Sequence, residues 1–202
     1  NVHKSFDPTP IPLHVARAQG PVLPYQWVYK YKPATGQLKA RLTMRGDLED
    51  DVSFDTFSPT VTYDLFSFTA AVALKRRWKL TQWDTPQAFL NAKANRPIFL
   101  RPPPFINGFP KDHVLRLNKS VYGLSDAGLR WYLYAAKRLK RAGLRQSRVH
   151  PCIFYSADCI LSLYVDDVFV TSKSVGLTNS TGDLFIGGEN VSNVNCAMTL
   201  SE

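Results

Sequence analysis

Two adjacent carboxylates, Asp166 and Asp167, stand in Tyr164-Val165-Asp166-Asp167 between the apolar runs Ile160-Leu161-Ser162-Leu163 and Val168-Phe169-Val170. Each run reads as a short strand, and the pair falls at the turn between them. Asp is a common turn residue, often there for the backbone alone. Two like charges side by side repel, however, unless something positive lies between them. A divalent cation is the natural partner, because hard cations prefer carboxylate oxygens. Asp84 is a further candidate acid, at the end of Leu80-Thr81-Gln82-Trp83-Asp84. Two metal ions held about 3.5–4 Å apart, as in in-line phosphoryl displacement, need shared acidic ligands. An acid distant in sequence and adjacent in space would complete such a site.

The elements that must position these acids follow from periodicity and turn chemistry. Leu80 to Asp84 reads as a strand, followed by a compact segment from Thr85 to Asn91. A helix is expected from an N-cap at Thr62 to about Arg77, burying Leu65, Phe68, Val72 and Ala73. A second helix is expected from about Ala127 to Arg141, capped by Asp126 and stopped at Gly143. Its buried stripe would be Leu129, Tyr132, Leu133, Ala136 and Leu139. Upstream, Gln26 to Lys32 alternates bulky and polar side chains, Pro33-Ala34-Thr35-Gly36 is a turn, and Leu38 to Met44 returns. This β-hairpin carries Lys30, Lys32, Lys39, Arg41 and Arg45. Residues 1–24 hold five prolines and read as an irregular lead-in. Gly46 to Asp55 reads as an acidic loop, 96–110 as extended proline-rich chain, and His113 to Leu117 as a strand. Residues 174–202 are rich in Gly, Ser, Asn and Thr and read as a flexible tail.

Composition narrows the function classes. With 202 residues and 45% hydrophobic side chains, the chain can form the core of one large domain or two small ones. No apolar run approaches the ~20 residues that span a bilayer. The chain starts at Asn1 without a signal-peptide pattern, which suggests a fragment or a processed piece. Cys152, Cys159 and Cys196 fit no zinc or redox spacing and read as buried or incidental thiols of a reducing compartment. The formal net charge of +9 suits a polyanionic partner. Arg130, Lys137, Arg138, Lys140, Arg141, Arg145 and Arg148 have no acid among them, and no Lys or Arg follows Lys173. A solvated helix face would also account for that run.

Five blocks together carry a resemblance. Trp83-Asp84-Thr85-Pro86-Gln87-Ala88-Phe89-Leu90-Asn91 resembles the first catalytic motif of Ty1/copia-type reverse transcriptases. Lys39-Ala40-Arg41-Leu42, Thr56-Phe57-Ser58-Pro59 and Ser120-Val121-Tyr122-Gly123-Leu124 resemble three further signatures, and Tyr164-Val165-Asp166-Asp167 resembles the polymerase box. All five stand in the family's order, across residues 25–173. The resemblance implies an α+β fold with fingers and most of a palm, an antiparallel palm sheet backed by helices, and no thumb within the chain. It implies Asp84, Asp166 and Asp167 as catalytic residues and ligands of two Mg2+ ions, with Mn2+ as an alternative. Arg41 would grip the triphosphate with Lys32, and Phe89 would stack under the incoming sugar or, in the plainer reading, be an ordinary core side chain. Lys30, Lys39, Arg130, Lys137, Arg138, Lys140, Arg141 and Tyr164 would meet nucleic acid. The implied partners are an RNA or DNA template-primer and a dNTP, with no membrane and no oligomeric state specified. The implied location is cytoplasmic, in a retroelement particle, or nuclear, and not secreted.

Two departures matter. The family has Gln where this chain has Asp126 and Pro where it has Gly128. That Gln helps hold the nucleotide, so an acid there would repel the triphosphate, unless Asp126 only caps its helix. Past Ser172 the resemblance ends, as in a truncated or decaying element. Three functions therefore stand: a working polymerase, a non-catalytic nucleic-acid-binding remnant, or a decayed reading frame.

Overall fold

The structure is a computed structural model that describes residues 4–49, 53–103 and 108–174. The tail expected over 174–202, apart from Ser174, lies outside the described residues, as does Cys196. In chain order the elements are β1 (Ile11–Pro12), α1 (Leu13–Gln19), β2 (Val22–Leu23), β3 (Tyr25–Lys32), β4 (Gln37–Met44), α2 (Tyr63–Arg76), β5 (Lys79–Asp84), β6 (Phe99–Leu100), β7 (His113–Arg116), α3 (Ala127–Arg141), β8 (Arg145–Gln146), β9 (Ile153–Tyr155), β10 (Cys159–Tyr164) and β11 (Asp167–Ser172). Short 3-10 turns occupy Gly46–Leu48 and Ala88–Asn91. The fold is mixed α+β. The chain divides into two interleaved units, one formed by Asn1–Phe57 and Phe89–Trp131, the other by Ser58–Ala88 and Tyr132–Glu202.

The second unit is built on a five-stranded sheet in the order β5-β11-β10-β9-β8, antiparallel throughout. One face is apolar, because alternate residues of the central strands are Leu161, Leu163, Val168 and Val170, all buried. Helix α2 begins as expected: the Leu65 N–H donates to Thr62 Oγ1 at 3.4 Å. It ends at Arg77, whose left-handed backbone (φ 53°) returns its N–H to Ala73 and Leu74. Its buried stripe differs in part from the expected one. Ala73 is buried and Leu65 and Val72 are half-buried, as expected, but Phe68 is 64% exposed, Thr69 is buried, and Phe66 packs on Phe169 of β11, ring centroids 4.7 Å apart. Phe66 and Phe68 both fit an apolar stripe at helical spacing, so periodicity alone cannot choose between them; the sheet chooses Phe66. Thr69 is tolerated there because its hydroxyl donates to the Phe66 carbonyl at 2.7 Å.

The first unit holds a four-stranded sheet, β1-β7-β6-β2, and the separate hairpin β3-β4. Residues 1–24 are not irregular throughout: α1 and two sheet strands lie within them, and Ala16 packs with Phe99 and Val114. The larger core gathers Leu23, Met44, Ile98, Leu100, Leu117, Val121, Leu124 and Ala127. Helix α3 matches its expected span and runs across the division between Trp131 and Tyr132. Tyr132, Ala136 and Leu139 are buried as expected, Leu133, expected inside, is 47% exposed, and Trp131 and Ala135 are buried as well. The buried arc thus extends over Trp131 and Ala135 in place of Leu133. Among the described residues no helix is long and apolar enough to cross a membrane.

Candidate active site

Strands β10 and β11 meet in a two-residue turn, Val165-Asp166, with Tyr164 paired to Asp167. Val165 adopts a left-handed backbone (φ 51°), uncommon for a β-branched residue. On its other side β11 pairs with β5 so that Asp167 lies directly opposite Asp84. The ladder continues one step further, where the Thr85 N–H donates to the Asp166 carbonyl at 2.9 Å. The fold thus brings Asp84 to the same end of one sheet as the two acids some eighty positions later. Like charges directly opposite on neighbouring strands are destabilising. Here Gln82, two residues before Asp84 and therefore on the same face, donates its Nε2 to Asp167 Oδ1 at 2.9 Å. Asp84 is exposed, Asp166 and Asp167 are half-buried, and Tyr164 is 50% exposed.

The donor set is three carboxylates, the hard-oxygen kind that suits Mg2+ or Mn2+. Among the described residues no three His, Cys, Asp or Glu side chains are gathered closely enough to hold a metal ion. The backbone register brings the acids to one end of the sheet, but the side chains are not drawn together as ligands. Among the described residues Cys152 and Cys159 are buried, and burial pushes the Cys159 thiol up to about 11.

The expected nucleotide-side residues lie in the first unit. Pairing of Val28 with Arg41, Lys30 with Lys39 and Lys32 with Gln37 puts Lys30, Lys32, Lys39 and Arg41 on one face of the β3-β4 ribbon. The other face carries Trp27, Tyr29 and Tyr31, with Trp27 stacked on Tyr29 at 6.3 Å. Phe89 is half-buried against the larger core, and its ring meets Tyr122 edge-on at 4.8 Å. The Arg41 guanidinium lies over the same Tyr122 ring, 5.6 Å from its centroid. Tyr122 was not among the expected site residues, although it lies in the Tyr-Gly-Leu block. Gln82 was missed too, although strand alternation alone puts it beside Asp84.

Asp126 directly precedes α3, where a cap was expected, and it is 1% exposed. Its Oδ2 accepts from Arg130 Nε at 2.9 Å, and Arg96 Nη2 lies 3.8 Å from its Oδ1. Arg96 also bonds both carboxylate oxygens of buried Glu49, at 3.0 and 2.9 Å, and Ser125 Oγ donates to Glu49 at 2.5 Å. Two acids and two arginines therefore balance one another. The repulsion expected from Asp126 is offset by its neighbours, and Arg130 is committed to this network. Along α3, Lys137, Lys140 and Arg141 are exposed, while Arg138 donates to the Tyr134 hydroxyl at 3.2 Å.

Comparison with known proteins agrees with the blocks. Residues 16–185 match the family described as reverse transcriptase (RNA-dependent DNA polymerase). The truncated transposon Ty1-A Gag-Pol polyprotein of Saccharomyces cerevisiae is 32% identical over 147 residues, 71% of this chain and 12% of that relative. The transposon Ty1-LR2 and Ty1-PR1 Gag-Pol polyproteins of the same yeast are 31% and 32% identical over 147 residues, 71% of this chain and 8% of each relative. The chain thus spans about an eighth or less of the length of these curated relatives. By the family match over residues 16–185 and these relatives, the chain belongs to the reverse transcriptase family, of the Ty1/copia type.

Proposed function

We propose that residues 25–173 are the fingers and most of the palm of an RNA-directed DNA polymerase that adds dNTPs to a primer 3′-hydroxyl. The observation that carries this reading is the cross-strand pair Asp84–Asp167 beside the turn acid Asp166. A fold keeps facing like charges at a sheet end when something positive is to sit there. Asp84, Asp166 and Asp167 would hold two Mg2+ ions, or Mn2+ in their place. Bound there, the ions would lower the pKa of the primer hydroxyl and neutralise the pyrophosphate leaving group. Gln82 fixes the rotamer of Asp167, and the Thr85 N–H fixes the turn carbonyl.

Arg41 grips the triphosphate, a task suited to charge-assisted, bidentate bonds, with Lys32 farther along the same ribbon face, toward the turn. Phe89 supports the sugar and excludes a ribose 2′-hydroxyl. Asp126 has its charge offset by Arg96 and Arg130, which would reduce its repulsion of a triphosphate. Lys30, Lys39, Lys137, Arg138, Lys140, Arg141 and Tyr164 would contact template-primer phosphates without regard to sequence. The setting would be a retroelement particle in the cytoplasm, or the nucleus. A second reading, binding without synthesis, draws support from the acids not being gathered at ligating separations.

Primer extension on poly(rA)·oligo(dT) with Mg2+ separates the readings. Extension that disappears in Asp166→Asn supports the polymerase. No extension, with salt-sensitive duplex binding retained, leaves the binding module, and loss of both leaves a decayed frame.

A further inference from the structure

We propose that Tyr122 is the positioning residue that holds Arg41 and Phe89 as one nucleotide-selecting unit. This rests on the reading of Arg41 and Phe89 given above. The two residues come from different elements, the strand β4 and the 3-10 turn Ala88–Asn91, and Tyr122 touches both. The face of its ring takes the Arg41 cation at 5.6 Å, where the ring quadrupole is negative. Its contact with Phe89 is tilted, 63° between ring planes, the edge-to-face arrangement that aromatic pairs favour. One rigid ring therefore sets both where the guanidinium points and where the Phe89 ring stands.

The backbone around Tyr122 is fixed with unusual closeness to the strand that bears Arg41. The Met44 N–H donates to the Tyr122 carbonyl at 2.7 Å, and the Gly46 N–H donates to Gly123 at 3.0 Å. Gly123 has φ +88°, and a Cβ there would collide with the Met44 carbonyl, so only glycine fits. Tyr122 is thereby anchored three residues beyond Arg41 along the same strand. Asp126 and Arg96 pair with each other in a charge network.

The consequence is a selectivity effect distinct from a stability effect. Losing the ring face frees the guanidinium, which weakens triphosphate binding. Losing the ring edge frees Phe89, which relaxes discrimination against a 2′-hydroxyl. Both follow from one substitution at a residue that need not touch the nucleotide.

The test is equilibrium binding of a fluorescent dTTP, and of the matching rNTP, to the full chain bound to a chain-terminated primer-template with Mg2+. Tyr122→Leu should weaken dTTP binding about tenfold and narrow the dNTP-to-rNTP ratio by a similar factor. Tyr122→Phe, which keeps the ring, should stay close to the parent in both. Arg41→Ala combined with Tyr122→Leu should bind dTTP no more weakly than Arg41→Ala alone. Tyr122→Met preserves bulk without a ring and replaces Tyr122→Leu if that variant unfolds. Parent-like binding and selectivity in the ringless variant, or full additivity with Arg41→Ala, overturns the proposal. If Arg41→Ala and Phe89→Ala themselves change nothing, the nucleotide-site reading fails first, a result distinct from failure at Tyr122 alone.

Discussion

The molecule holds two pairs of acids in opposite circumstances. Glu49 and Asp126 are buried in the first unit, and Arg96 and Arg130 answer their charge at hydrogen-bonding distance. Asp84 and Asp167 face each other at a sheet end in the second unit, and among the described residues neither has a salt-bridge partner. The first pair is complete in itself, so its charges serve the fold. The second pair is a local cost that the fold tolerates at a sheet end, which is what the proposed metal-binding role of these acids would require. Acidity alone distinguishes nothing; what matters is whether the protein supplies the compensating charge.

The sharpest way to break this contrast is to remove one charge from the facing pair. Asp84→Asn should abolish primer extension by about a hundredfold or more, as expected for loss of a group that stabilises transition-state charge. The same change should leave thermal stability unchanged or raise it by about 0.2–1 kcal/mol, because a repulsive cross-strand pair is relieved. A large fall in melting temperature would mean that Asp84 serves the fold after all. The buried network predicts the reverse sign. Arg96→Ala leaves Glu49 buried with its charge unanswered and should cost about 3–5 kcal/mol in urea unfolding. An unchanged midpoint would place Glu49 and Asp126 with the ligand-facing acids.

A third measurement tests the apolar side of the second unit's sheet. Burial raises the Cys159 thiol to about 11, above its ordinary value of 9.0. The folded state then holds the proton more tightly than the unfolded chain, so stability is full below pH 9 and declines as pH rises toward 11. Cys159→Ala should flatten that alkaline decline in pH-dependent denaturation. The smallest effect concerns the basic ribbon face. Lys39→Ala should lower the salt dependence of duplex binding by about one unit of log-log slope and leave extension chemistry intact. An unaltered slope would remove Lys39 from the nucleic-acid surface.

Much of the fold was legible because its signals are local. Thr62 as a cap, the β3-β4 hairpin with Gly36 at φ +65°, and the span of α3 all rest on residues close in sequence. The facing of each helix was less legible. Phe66 and Phe68 are equally apolar, and only the sheet beneath α2 decides that Phe66 meets Phe169 while Phe68 stays exposed. Leu133 illustrates the same limit on α3. The lead-in was misread because strands of two residues, such as β1 and β2, carry no period of their own and exist through partners at 99–100 and 113–116.

The sequence by itself determined which acids could do chemistry and in what order the blocks stand, since residue type and spacing along a chain are sequence properties. Tertiary structure alone decided which acids are answered. Register set Asp84 against Asp167, long-range packing brought Arg96 to Glu49 and Asp126, and one tyrosine came to lie against both Arg41 and Phe89. Compensation of charge depends on distance in space, and distance in space is what a sequence read along its length does not contain.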